Sequence, residues 1–364
     1  MNIVVRGDTY ATTAFPSRDV TGQEYLVMVA KATWKLPLPG QRLKPIAPQP
    51  IKVVDEYYGE PGLSALRCPN DLARIKSRCD VLFDAKAYVP HDKATTHLAV
   101  KVCIGDWSKV LKVVGERRWK RSLISYAASD PVPFSTMPLH MGRAFGGARK
   151  PRRKGAAIEV YDDNPVGIGW AGKYSIDDMV GESLPNLEPI NKNLTSPTDK
   201  FKPIALNAIG VNFPERSRYA GTYDEAWRRN VFPFLPEDFD DRYYQAAPED
   251  QQIPYPRGQE TIELTHLLPD RPHLEFTLPA LDQMQMRVLR KNYVVDLPPI
   301  HVDTLFFELD QMRLSAVWRS HVRVHRSINE FHTIAMGRVD EHWWDDLCMG
   351  VDDAQCLGCS NSRL

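Results

Sequence analysis

Tyr25-Leu-Val-Met-Val-Ala-Lys-Ala-Thr-Trp-Lys-Leu36 is the stretch whose reading decides the fold. From Lys31 onward it alternates, with Lys31, Thr33 and Lys35 pointing one way and Ala32, Trp34 and Leu36 the other, which is the two-residue period of a strand. Residues 25–30 before it are continuously apolar, so the two halves together predict a strand that enters a core. The period returns at His97–Ile104, where Leu98, Val100, Val102 and Ile104 share a face. Gly105-Asp106 then turns the chain into residues 109–114, the pattern of a hairpin. Late in the chain Met284, Met286 and Val288 alternate with Gln283, Gln285 and Arg287. Leu305, Phe307 and Leu309 repeat the pattern, and Asp310-Gln311 leads into Met312, Leu314, Ala316 and Trp318. The β signal therefore occupies both ends of the sequence.

Between these ends, alternation is poor and proline, glycine and asparagine are dense from about residue 130 to 262. The chain holds 29 prolines and 21 glycines, which favours short elements and many turns over long helices. Two short helices are expected in this middle segment. Thr222-Tyr-Asp-Glu225 has the form of a capping box, opening a helix that runs toward Asn230 before Pro233 stops it. A second follows Pro236-Glu-Asp and carries Phe239, Tyr243 and Tyr244. The reading is a mainly β, or β-rich α+β, protein whose antiparallel sheets form a sandwich or barrel-like scaffold. A single domain spans residues 1–347 with an irregular insertion at about 130–262, and a cysteine-bearing tail covers 348–364.

Charge excludes several partners. The 46 Lys and Arg residues balance the 46 Asp and Glu residues, so no global field draws nucleic acid or an anionic membrane. The opening Met1-Asn-Ile-Val-Val-Arg6 carries no basic segment followed by an apolar run, and residues 25–30 are too few to span a bilayer, which leads to the expectation of a cytoplasmic protein. In a reducing compartment Cys68, Cys79 and Cys103 are expected as free thiols.

The candidate chemistry is sparse. Gly167-Ile-Gly169-Trp-Ala-Gly172 matches a dinucleotide glycine pattern, but Asp162-Asp-Asn-Pro165 before it reads as a turn where a buried strand is required, so no cofactor is expected. Residues 143–154 carry six basic side chains, read as a solvated loop, with Asp162 and Asp163 close enough to offset them. His321-Val-Arg-Val-His325 alternates as a strand that exposes His321, Arg323 and His325, and does not present two metal ligands on a helix. No metal is expected, the weak alternative being zinc held by Cys348, Cys356, Cys359 and His342. No nucleophile elbow, phosphate loop or catalytic cysteine signature is present.

A set of short motifs occurs in order: residues 31–36, Asn70-Asp-Leu72, Ser129-Asp-Pro-Val-Pro-Phe134, Met137-Pro-Leu139, Arg143-Ala-Phe-Gly-Gly147, Asn164-Pro-Val-Gly167, Leu184-Pro-Asn-Leu-Glu188, Gly221-Thr-Tyr-Asp-Glu-Ala-Trp227, Leu235-Pro-Glu-Asp-Phe239, Ala246-Ala-Pro248 and Asp250-Gln-Gln252. Over about residues 10–325 they resemble a bacterial domain-of-unknown-function family found beside type VI secretion effectors. What the resemblance implies is a non-enzymatic chaperone or adaptor. Its protein partners would be a cognate effector, a spike-tip protein and a co-chaperone. The family supplies no catalytic residue to carry over, and this chain lacks the pentapeptide-repeat or similar domain appended in longer relatives. The candidate client surface is formed or supported by Arg143, Phe145, Gly146, Gly147, Asn164, Pro165, Gly167, Trp170, Asn186 and Trp227. Two competing readings are a hydrolase with His140, His321 or His325 paired to an aspartate such as Asp130, and a component that is itself secreted.

Overall fold

A computed structural model describes residues 2–6, 9–122, 126–149, 157–172, 176–196, 199 and 201–350. With 41% strand against 12% helix, the chain is mainly β and built from several antiparallel sheets, as the alternation predicts. Among the described residues no sheet closes into a barrel.

The long sheet runs in the order Gln252–Ile253, Cys79–Asp84, His301–Glu308, Arg313–Arg323, Glu24–Lys35 and Ala11–Arg18, with Lys44–Ile46 also laid on the edge of Glu24–Lys35. All its pairings are antiparallel except Cys79–Asp84 with His301–Glu308. A five-stranded sheet is ordered Leu187–Pro189, Trp107–Val114, His97–Ile104, Thr261–Leu268 and Arg271–Thr277. The expected hairpin lies in it, closing at Ile104 opposite Trp107 across Gly105-Asp106. A four-stranded sheet is ordered Asn2–Arg6, Phe331–Gly337, Gln285–Arg290 and Val295–Asp296. The inner faces of all three sheets meet in one cluster of buried side chains. Met28, Ala30 and Trp318 from the long sheet, Val100, Val102 and Leu264 from the second, and Met286 and Ile334 from the third all belong to it.

The opposite face of Glu24–Lys35 is also covered. Lys31 is only 3% exposed and Thr33 only 1%, because the chain from Gln49 to Lys76 lies across them. A buried cation is tolerated only when paired and hydrogen-bonded. Lys31 Nζ donates to Asp71 at 2.6 Å, Arg319 Nε donates to Asp303 at 2.5 Å, and Lys76 Nζ donates to Asp80 at 2.8 Å. The alternation that looks like a core face backed by solvent is therefore a core face backed by a layer of loops with internal ion pairs.

The middle segment is woven into the sheets. Its Leu187–Pro189 strand pairs with Trp107–Val114, and its Gln252–Ile253 strand pairs with Cys79–Asp84. The first expected helix is present as Glu225–Asn230, but its cap is Asp224, which accepts from the Trp227 N–H at 2.8 Å. Thr222 turns away to bond Asp238 through both its N–H (2.9 Å) and its hydroxyl (2.7 Å), leaving Glu225 to pair with Arg228 and Arg229. The second is shorter than expected, a single 3-10 turn at Asp241–Tyr244 capped by Asp240. The last described helix, Glu341–Cys348, sets Trp344 against Leu289 and Ala335 of the four-stranded sheet and against Val339 just beyond it. No described helix is long and apolar enough to cross a membrane.

Candidate functional site

The structure brings most of the candidate residues together, at a crossing of three segments, and it buries them. Asn164 is fully buried, and its Nδ2 donates to the carbonyls of Met141 (2.9 Å) and Phe145 (3.0 Å). The Gly147 N–H bonds the Asn164 carbonyl (2.8 Å), the Trp170 N–H bonds that of Gly146 (3.1 Å), and the Asn186 N–H bonds that of Arg143 (2.8 Å). At Gly146, φ is +144°, and a Cβ would lie 2.2 Å from the Asn164 carbonyl oxygen, so only glycine fits. Gly167 is equally tight, its missing Cβ lying 2.6 Å from the Ala144 carbonyl oxygen. Phe145 anchors a buried cluster with Trp119, Leu184 and Phe201, against which Trp170 packs half-buried. Asn186 is buried, its Nδ2 donating to the Val114 carbonyl at 3.0 Å. Arg143 and Pro165 keep part of their surface exposed. A partner cannot touch Phe145, Gly146, Gly147, Asn164 or Asn186; these support the loops from inside.

Trp227 sits elsewhere, in an aromatic lobe. Its Nε1 donates to the Phe234 carbonyl at 2.9 Å, and its ring meets Tyr223 and Phe232 edge to face. Phe234 lies beneath the Arg18 guanidinium and beside Gly22, at the turn of the long sheet's first hairpin.

The titratable candidates are held apart. His140 stacks on Tyr58 with centroids 4.3 Å apart, and its Nδ1 accepts from the Gly142 N–H. Burial, with Arg143 adding to it, lowers its pKa to about 4. Tyr58 in turn donates to Asp84 at 2.8 Å, and burial raises the Asp84 carboxyl above its ordinary value. His321 lies on the long strand with its ring edge-on to Tyr25, and burial lowers its pKa. His325 and Asp130 are exposed, and among the described residues no hydrogen bond joins any of these four to another. Val322 and Val324 point inward as expected, but the strand ends at Arg323 and His321 is half-buried against Tyr25 where the alternation predicted exposure. Lys109 is buried beside a cavity of about 120 Å³, and burial lowers its pKa. Its ammonium is engaged by Asp250 (2.9 Å) and Gln251 (2.7 Å).

Gly169 takes positive φ at the end of the Ile168–Gly169 strand, which pairs with Phe145–Gly146, and Gly172 takes positive φ in the turn that follows. Of the basic run, only Arg143 and Arg149 fall within the described residues, and Arg149 donates to the Asp178 carbonyl. Cys68, Cys79, Cys103 and Cys348 are free thiols. Burial raises the Cys68 thiol to about 12. His342 pairs with Asp346 at 2.9 Å, while Cys356 and Cys359 lie outside the described residues.

The concave surface was not legible in the sequence. The edge of Glu24–Lys35 is covered by Ala11–Arg18 as far as Lys31 and by Lys44–Ile46 from Thr33 onward. Between these covers opens a cleft of about 680 Å³ lined by Tyr10, Trp34, Leu43, Pro45, Gln283 and Arg338. Tyr10 and Trp34 both pack on Trp318, whose Nε1 is fixed by the Leu281 carbonyl at 2.9 Å. An adjoining cleft of about 660 Å³ shares Leu43, Pro279 and Ala280 with it and runs between residues 40–43 and the edge strand Arg271–Thr277. A third, of about 670 Å³, lies where residues 281–284 meet Tyr255 and His301, whose rings stack. Aromatic rings and cations on a sheet edge can grip another chain; they do not constitute an acid–base or nucleophilic pair.

No curated protein and no solved structure matches the chain. A family described as "Uncharacterized protein conserved in bacteria (DUF2169)" matches residues 21–319, close to the span over which the ordered motifs resemble a bacterial domain of unknown function. These residues hold the long central strand, the crossing and the cleft beside Arg271–Thr277, while Tyr10 and Arg338 of the adjoining cleft lie outside them, and the chain belongs to this bacterial family.

Proposed function

We propose that this protein is a non-enzymatic chaperone or adaptor of a bacterial type VI secretion machine, which binds a cognate effector in the cytoplasm and helps load it onto the spike-tip proteins. Support comes first from the ordered motifs and the family they resemble. The observation that carries the reading is the pair of adjoining clefts, an apolar and aromatic trough along a sheet edge with Arg42, Glu275 and Arg338 among its lining. Such a surface suits a protein segment better than a small substrate, because recognition along a strand edge uses backbone groups spread over many residues. Binding of this kind needs no cofactor.

Affinity purification of the tagged full-length chain from its native cell, followed by mass spectrometry, tests the reading. An effector or spike protein encoded beside it should co-purify, and the chain itself should stay in the producing cell. Recovery of neither partner in repeated purifications, or release of the chain along with the effector, would sink the proposal.

A further inference from the structure

We propose that Arg271–Thr277 pairs with the same strand of a second copy of this chain, antiparallel and about a two-fold axis at His273, joining the two five-stranded sheets into one. The proposal goes beyond the chaperone reading and does not depend on it. A dimer built this way leaves the cleft around Tyr10 and Trp34 to a client.

The backbone supplies the first argument. Leu278 donates its N–H to the Glu260 carbonyl (3.0 Å) and accepts from the Gln259 N–H (3.1 Å), so its backbone groups face inward. By the two-residue period those of Leu274 and Phe276 do too, and those of Arg271, His273, Glu275 and Thr277 face away from the sheet. Among the described residues no strand pairs with this side. Pro272, the one proline of the strand, falls at an inward position opposite the register shift between Thr265 and Leu268, so the outward row keeps its N–H groups. An open edge of this kind is a template for another strand.

Charge supplies the second argument and selects the partner. Glu275 lies directly opposite Glu263, which already has its cation in Lys101 (3.3 Å). Like charges opposite one another are unfavourable, and among the described residues no cation pairs with Glu275. Arg271 is in the converse position, donating to the Pro37 carbonyl (3.1 Å) and meeting no carboxylate among the described residues. The two side chains share one face of the strand but lie about 13 Å apart along it, too far to meet in one copy. A two-fold axis at His273 sets residue 271 of each copy opposite residue 275 of the other, so each Glu275 gains an arginine on the side away from Glu263. Such reciprocal pairing is what a two-fold interface requires. The same register carries the exposed hairpin tip Pro269-Asp270 of each copy alongside Phe276 and Thr277 of the other, which line the cleft together with Arg42. Neither Asp270 nor Arg42 has an ion-pair partner in its own chain among the described residues. A second copy thus supplies by symmetry the opposite charge that each of these four side chains lacks.

Sedimentation equilibrium of the full-length chain over a range of concentrations tests this. Wild type should pass from monomer to dimer. Glu275→Arg sets an arginine against Arg271 of the other copy while giving Glu263 a cation opposite, so it should fold at least as stably and weaken the dimer about tenfold or more. Arg271→Glu should weaken it similarly, and the double exchange Arg271→Glu with Glu275→Arg should restore it to within about threefold of wild type. Hydrogen exchange gives an independent reading. The amides of His273, Glu275 and Thr277 should slow as concentration rises, whereas those of Leu274 and Phe276, bonded within the sheet, should not change. A wild-type chain that stays monomeric overturns the proposal. So does a dimer that Glu275→Arg leaves intact, one that the folded double exchange fails to restore, or one in which exchange at His273 and Glu275 is independent of concentration.

Discussion

The crossing around Asn164 and the cleft along Arg271–Thr277 use similar materials and reach opposite states. At the crossing, glycines let three segments approach until their backbone groups bond one another, and Asn164 and Asn186 tie the carbonyls that remain. At the cleft, the Glu275 and Thr277 backbone groups have no such neighbours among the described residues, and Arg42 and Glu275 are the charged side chains that line it. The motif residues at the crossing are those with which the chain holds itself together, whereas none of the residues lining the cleft beside Arg271–Thr277 belongs to a motif. The layer beneath the long sheet belongs with the crossing. There Asp71, Asp80 and Asp303 are buried, paired with Lys31, Lys76 and Arg319.

If this contrast is real, substitutions should split between the two regions. Asp303→Ala leaves the Arg319 guanidinium buried without its carboxylate and should cost about 4 kcal/mol in chemical denaturation. Gly146→Ala drives a methyl group into the Asn164 carbonyl and should cost about 3 kcal/mol, with the midpoint lowered. A loss below about 1 kcal/mol at either site would place that residue with the surface and break the division.

A pH series sharpens the contrast at the rim of the crossing. His140 has a folded pKa lowered to about 4 from 6.5, so its contribution to stability is present above the unfolded value and is lost as pH falls from 6.5 toward 4. Across that window the wild type should lose about 2 kcal/mol more than His140→Gln. Parallel pH profiles for the two proteins would show that His140 is already open to solvent. The smallest effect belongs to the cleft: Arg42→Glu should change stability by less than about 0.5 kcal/mol. A larger loss would mean that the cleft, too, is internal structure.

The strands were legible because their signal is local. The hairpin at Gly105-Asp106, the alternation of Met284 to Val288 and the Val322–Val324 face all lie where the sequence predicts them. The helix caps were half legible, since Thr222 and Asp224 are both able to cap and only the nearby Asp238 draws Thr222 away. Asn207 gave no signal and Gln251 only as part of a motif with no role assigned, yet both are fully buried clamps. Asn207 holds the Met141 N–H at 2.8 Å, and Gln251 bonds the Val81 carbonyl at 2.7 Å. Single polar residues in loops are ordinary in sequence, and burial alone makes them indispensable.

By itself the sequence determined that this is a mainly β protein, that residues 25–36, 97–114, 284–288 and 305–318 carry strands and how its one clear hairpin turns, because side-chain alternation and turn residues act over a few neighbours; Cys79–Asp84, Thr261–Leu268 and Arg271–Thr277 were not read. The tertiary structure decided which strand faces are covered and which edge stays open. Lys31 meets Asp71 and Arg319 meets Asp303 only after distant segments fold over one sheet, and Arg271–Thr277 is an edge because, among the described residues, no later strand returns to pair with it. Those outcomes depend on contacts between residues far apart in the chain, which no local period encodes.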